Sequence, residues 1–184
     1  QGHAGAQFNL GLMYGDGRGV TQDYQEAINW YRLAAGQGNA QAQFMLGGSY
    51  AEGKVIPQDY PEAMKWYRLA AEQGNAEAQF NLGLMYANGR GVAQDYLEAM
   101  KWYRLAADQG VAEAQFKLGY MYLNGRGVIQ DYILAHVLLS LAAAKLTDEE
   151  YRNVAIQARD MVAAKMTPEQ IAEAQRLARE WKPK

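Results

Sequence analysis

The side chains able to do chemistry are few and far apart. The 184-residue chain has two histidines, His3 and His136, and no cysteine, which excludes a disulfide framework and thiol catalysis. A Ser/His/Asp triad would have to draw on Ser49, Ser140 and those two histidines, and nothing in the spacing places them together. No His/Cys/Asp/Glu cluster has metal-ligand spacing, so neither a catalytic residue, a metal nor a cofactor is expected. Gly-Arg-Gly-Val at 17–20, 89–92 and 125–128 lacks the Gly-Lys-Ser/Thr of a phosphate loop and reads as a recurring turn. The acid pairs Asp23/Glu26, Asp59/Glu62 and Asp95/Glu98 suggest acid–base work, yet helix capping explains both their type and their spacing. Trp30, Trp66 and Trp102 could form a ligand-stacking row; beside small alanines at helical spacing they read as packing between units.

That recurrence is the main feature of the chain. Phe8, Phe44, Phe80 and Phe116 are 36 residues apart, as are Tyr14, Tyr50, Tyr86 and Tyr122. Asp-Tyr at 23–24, 59–60, 95–96 and 131–132 keeps the same register. Four copies of one unit therefore span about 2–37, 38–73, 74–109 and 110–145, followed by a tail at 146–184. His136 aligns with Met100, Met64 and Ile28, an apolar slot, and reads as a half-buried structural histidine. The net charge of −2 gives no electrostatic reason to expect nucleic acid, and no apolar run is long enough to span a bilayer.

Each unit reads as two helices. The first runs roughly from Ala4 to Tyr14, with Ala6, Leu10, Gly11 and Tyr14 on one face. Gly11, Gly47, Gly83 and Gly119 sit inside it, where glycine costs about 0.5–1 kcal/mol, so a neighbouring helix is expected to come too close for a side chain. The second helix starts after the N-cap at Asp23, with Glu26 placed to close a capping box. Gly38, Gly74 and Gly110 suit left-handed positions beyond its end. In the fourth copy Trp-Tyr becomes Leu138-Leu139, and Thr147/Glu150 and Thr167-Pro168/Gln170 announce two more helices that read as a C-terminal cap. Gln1-Gly2-His3-Ala4 aligns with the junction Gln37-Gly38-Asn39-Ala40, so a leader or further repeats are expected upstream. An uncapped stacking face at that end would permit self-association.

The third copy, Ala78-Gln79-Phe80-Asn81-Leu82-Gly83-Leu84-Met85-Tyr86 through Gly89-Arg90-Gly91-Val92 and Ala99-Met100-Lys101-Trp102-Tyr103-Arg104-Leu105-Ala106-Ala107, resembles the Sel1-like repeat, a relative of the tetratricopeptide repeat. The resemblance covers about residues 2–145. It implies an all-α fold, a right-handed superhelical solenoid whose first helices line a concave side, and a role as an adaptor for a protein or peptide. Bacterial members are often exported or envelope-associated, and the tail from Met166 to Pro183 looks like their ending. The cysteine-rich branch, for which penicillin binding has been proposed, is not matched, which weakens a penicillin-interacting hydrolase as an alternative. A purely structural segment of a longer solenoid is a further one. In the second copy Gly53-Lys54-Val55-Ile56-Pro57 lacks the second turn glycine, so that turn should differ.

The copies also act as an internal control. Positions held constant serve the architecture, whereas the first-helix face at positions 5, 9, 12 and 16 varies: Gly5-Asn9-Leu12-Asp16, Gln41-Met45-Gly48-Glu52, Glu77-Asn81-Leu84-Asn88 and Glu113-Lys117-Tyr120-Asn124. The constant row of Phe8, Phe44, Phe80 and Phe116 flanks it. Leu12, Met45, Leu84 and Tyr120 are expected to be exposed there, and the face is expected to bind protein through the four phenylalanines, these residues, Asn9, Asn81 and Lys117.

Overall fold

Ten α-helices and no strand are present among the residues described, 3–183 of a computed structural model. The junction residues Gln1 and Gly2 lie outside them. The helices pair as α1 (Ala4–Asp16) with α2 (Tyr24–Gly36), α3 (Ala40–Glu52) with α4 (Tyr60–Glu72), α5 (Ala76–Asn88), α6 (Tyr96–Asp108), and α7 (Ala112–Asn124) with α8 (Tyr132–Lys145). Then come α9 (Glu149–Ala163) and α10 (Pro168–Glu180). They form two compact units, α1–α5 up to Gln94 and α6–α10 from Asp95 onward.

Local sequence fixes the helix ends. Asp23, Asp59, Asp95 and Asp131 are the N-caps of α2, α4, α6 and α8, each carboxylate accepting from backbone N–H groups two or three residues on. The reciprocal half of the expected boxes is not made, because Glu62 and Glu98 turn instead to Lys65 and Lys101 one turn along. The N-cap of α9 is Asp148 rather than Thr147, its carboxylate accepting from Tyr151 N at 3.0 Å. Of the described helices only α10 closes a full capping box, through Thr167 and Gln170. The φ values of Gly38, Gly74 and Gly110 are 87°, 89° and 90°, the left-handed positions that the sequence predicted.

Packing within a pair depends on the mid-helix glycine. A Cβ on Gly11 would lie 2.5 Å from Tyr31 Cε1, on Gly47 2.7 Å from Tyr67 Cδ1, and on Gly119 2.9 Å from Leu139 Cγ. The ring or isobutyl group of the second helix therefore occupies the space of the missing side chain. Pairs are joined by buried glutamines: Gln43 and Gln79 donate to Ala35 O and Ala71 O (3.2 and 3.1 Å), and in the second unit Gln115 donates to Ala107 O at 3.2 Å. Arg68 donates to the Tyr86 hydroxyl (2.6 Å), and Arg104 likewise to that of Tyr122. Trp66 packs on a core of Ile28, Ala34, Leu46 and Ile56 drawn from two repeats. The indole N–H groups of Trp30 and Trp66 are also buried, and for Trp66 the packing role expected from the sequence is met.

The turn glycine has a similar reason. A Cβ on Gly91 would lie 2.7–2.9 Å from backbone atoms of Tyr60 and Pro61, and one on Gly127 2.8–2.9 Å from Tyr96. Each turn thus presses on the start of the preceding second helix. In the second repeat Val55 holds that place without positive φ, and Ile56 goes into the core instead, so the turn differs as expected. Leu138 and Leu139 of α8 are buried, both lying against Gly119 of α7, while α9 and α10 also pack on α8.

Two adjacent glycines test this account. Gly47→Ala should destabilise the protein by about 1–3 kcal/mol, since the methyl overlaps Tyr67. Gly48→Ala, whose Cβ would meet only the Tyr67 hydroxyl at ordinary contact distance, should stabilise by roughly 0.5–1 kcal/mol. Denaturant titration of both variants reads the two signs.

Candidate functional site

Three consecutive first helices bring varying-face residues to one cleft in the first unit. Leu12 of α1, Phe44 and Met45 of α3 and Asn81 of α5 line it, with a volume of about 730 Å³. That volume falls within the roughly 300–1,000 Å³ typical of ligand pockets. Ala27, Ile28 and Tyr31 of α2 and Tyr67 of α4 complete its walls, and Asp16, Glu52 and Lys54 supply its charges.

The tyrosine rings set the floor. Phe8 tilts against Tyr31 and Phe44 against Tyr67, each with centroids 5.9 Å apart, so both half-buried phenylalanines pack on second-helix tyrosines, and Phe44 also lines the cleft. The Tyr31 and Tyr67 hydroxyls lie next to Gly15 and Gly48, both of which line the cleft. Burial raises the pKa of both phenols, aided by Asp16 for Tyr31 and by Glu52 for Tyr67, which is pushed up to about 12. Both therefore remain neutral hydrogen-bond donors in ordinary conditions.

The expectation that Leu12, Met45, Leu84 and Tyr120 are exposed is not met: all four are half-buried. Leu12 and Met45 fold into the cleft walls, and in the second unit Tyr120 packs on Phe116 with centroids 4.9 Å apart. Phe116 is itself buried, its ring meeting Tyr151 of α9 edge-on at 6.5 Å, while Lys117 Nζ stands 6.0 Å from its centroid. Asn9 is exposed, and Phe80 and Leu84 are half-buried on α5. The cleft thus gathers Leu12, Phe44, Met45 and Asn81, while Phe116, Lys117 and Tyr120 form a separate aromatic group in the second unit. Sequence reasoning missed the share of α2 and α4 in the cleft. Gly48 and Ser49, where the second copy departs from its siblings, also line it.

The chemistry that the sequence left unassembled is partly assembled. Ser140 Oγ lies 3.4 Å from His136 Nδ1, one turn away on α8, so these two residues do meet. His136 is buried rather than half-buried, and burial, then Arg159, hold its pKa below the ordinary value against the opposing pull of Asp160. Asp160, whose charge acts on the ring, is held by Arg159 at 2.7 and 2.9 Å. The pair is a long hydrogen bond inside a helix, without the oriented carboxylate that a triad needs. Among the described residues no cluster of three metal-ligating side chains occurs, and no helix is long and apolar enough to cross a membrane.

The model of the Sel1 repeat matches residues 4–39, 40–75, 76–111 and 112–145. The chain belongs to the Sel1 repeat family. A Sel1 repeat protein from Oxalobacter formigenes is similar at 35% identity and a TM-score of 0.79, over 98% of this chain and 74% of that one. The protective antigen c5321 of uropathogenic Escherichia coli, described as having an SLR fold, is similar at 28% identity and a TM-score of 0.64, over 98% and 46%. Cysteine-rich protein B of Helicobacter pylori shares the fold at 22% identity and a TM-score of 0.52, over 60% and 86%. No match was found among curated proteins. Sel1 repeat proteins generally mediate protein–protein interaction, and their fold is typically a non-enzymatic scaffold.

The raised tyrosine pKa values carry a pH signature. Unfolded tyrosine ionises near 10 while Tyr67 keeps its proton to about 12, so the contribution of this phenol to folding stability is fully present below pH 10 and is lost as pH climbs through that window. Thermal melts across it should show a falling midpoint, and a shallower fall in Tyr67→Phe. Parallel declines would contradict the assignment.

Proposed function

We propose that this protein is an interaction module that holds a segment of a partner protein on its first-helix face. The observation carrying this is the cleft in which Leu12, Phe44, Met45 and Asn81 meet, since three of the four occupy positions that the repeats do not need in common. Constant residues are committed to the contacts that join helices: glycine to ring, glutamine to carbonyl, arginine to tyrosine. Asn9, Asn81, Leu84 and Lys117 are free to differ between copies and so can encode a partner. The half-buried state of Leu12 and Met45 suits this role, since apolar groups along a cleft wall give a partner side chain area to cover without much new ordering. Phe8 packs on Tyr31 as Phe44 does on Tyr67, Phe80 holds the same position on α5, and Phe116 with Tyr120 and Lys117 offers a second patch in the other unit.

The test is affinity capture with variants that spare the core. Met45→Glu, Asn81→Ala and Leu84→Glu should each weaken a reproducibly captured partner by about 2 kcal/mol, roughly thirtyfold, with melting unchanged. Leu33→Glu and Leu69→Glu, on exposed leucines of the second helices, should leave capture intact. Loss through the second-helix variants alone would overturn the proposal.

A further inference from the structure

The departures of the second repeat converge on the cleft. Where the other copies carry Leu12, Leu84 and Tyr120 it has Gly48, and where they carry Met13, Met85 and Met121 it has Ser49. Both residues line the cleft, as does Val55, the residue that replaces the turn glycine. The architecture does not require Gly48. It sits in the interior of α3, where glycine is disfavoured, its φ is not positive, and a Cβ there would meet nothing closer than the Tyr67 hydroxyl at 3.6 Å. Ser49 gives its hydroxyl to Met45 O at 2.9 Å and so places no unmet polar demand on the cleft. At this point α3 therefore omits two large apolar side chains that its sibling helices keep.

Two of the three charged residues that line the cleft are carboxylates, Asp16 and Glu52, and the third is Lys54. Asp16 and Glu52 both act on the buried tyrosines beneath them. Arg18 and Lys54 accompany these carboxylates at 2.6 and 3.0 Å, but all four side chains are more than half exposed, and such pairs are weakly held. A partner's cation can take their place.

We infer that the cleft is a socket for one apolar side chain of a partner segment, a leucine, methionine or aromatic residue with a lysine or arginine beside it. The inserted group supplies the packing that the other copies supply for themselves at Leu12, Leu84 and Tyr120, against Ala27, Ile28 and Phe44. Its cationic neighbour meets Asp16 and Glu52. Specificity thus comes from side chains deleted from one repeat rather than added to it. This rests on the reading that the first-helix face binds protein.

Restoring the deleted side chains tests the inference. Fluorescein-labelled peptides of about twelve residues, each with a central Leu, Phe or Trp flanked by Lys, are titrated against the whole chain by anisotropy, beside Lys→Glu and apolar→Ser controls. The unchanged protein should bind the apolar–lysine peptides at least about tenfold more tightly than either control. Gly48→Leu combined with Ser49→Met should melt no lower than the unchanged chain yet lose about tenfold or more in affinity, because the socket is then filled from within. Gly48→Leu alone should act in the same direction, and it serves if the double variant folds poorly. Peptide binding unchanged in a folded Gly48→Leu protein while Met45→Glu abolishes it would overturn the socket and leave the first-helix face standing. If no peptide of the set discriminates from its controls, the socket fails, and capture experiments with Met45→Glu and Leu84→Glu then judge the wider proposal separately.

Discussion

The contact on which the rest of this molecule depends is a missing Cβ under a buried ring. Gly11 beneath Tyr31 and Gly47 beneath Tyr67 let the two helices of a repeat approach until no atom larger than hydrogen fits between them. That approach fixes the rotation of each first helix about its own axis. With the glycine side turned to the partner helix, and Ala42 and Leu46 of α3 and Ala78 and Leu82 of α5 turned to the core, Met45 and Asn81 face the cleft, which Leu12 of α1 also lines. The same ring then does double service, because the hydroxyl end of the tyrosine that seals the pair emerges at the cleft floor next to Gly15 or Gly48. One ring thus both seals the helix pair and lines the cleft, and substitutions at the tyrosine cannot separate the two.

The fourth repeat shows how the scheme closes. Leu139 replaces the ring over Gly119, the branch filling the same space without a hydroxyl to bring to a surface. α9 and α10 pack on α8 as well, and both Leu138 and Leu139 are buried. His136 is the exception tolerated under that cover, kept neutral by burial and hydrogen-bonded within its own helix to Ser140.

Much of this was legible in the sequence. The 36-residue step, the aspartate caps, the left-handed glycines after each second helix and the close approach at Gly11, Gly47 and Gly119 all follow from residue types at fixed intervals. The errors arise where two local solutions compete. Glu62 and Glu98 could close a capping box or pair with a lysine one turn on, and they pair; Thr147 and Asp148 could each cap α9, and the carboxylate does. His136 and Ser140 are four residues apart on one helix, so their meeting was readable from spacing once the helix was placed. The half-burial of Leu12, Met45 and Tyr120 was not readable, because it depends on neighbouring helices and on rings such as Phe116 rather than on periodicity. The cleft draws on five helices, so its lining could not be assembled from the periodicity of any one of them.

The central claim is a division of labour: second helices and constant glycines build, and the first-helix face recognises. Amide hydrogen exchange of the whole chain, alone and with its captured partner, tests it most directly. The division predicts added protection in the segments of α1, α3 and α5 that carry Leu12, Met45 and Asn81, with α2 and α4 unchanged around the exposed Leu33 and Leu69. Protection gathered instead on those second-helix segments, with the cleft-lining first helices exchanging as in the free protein, would contradict it.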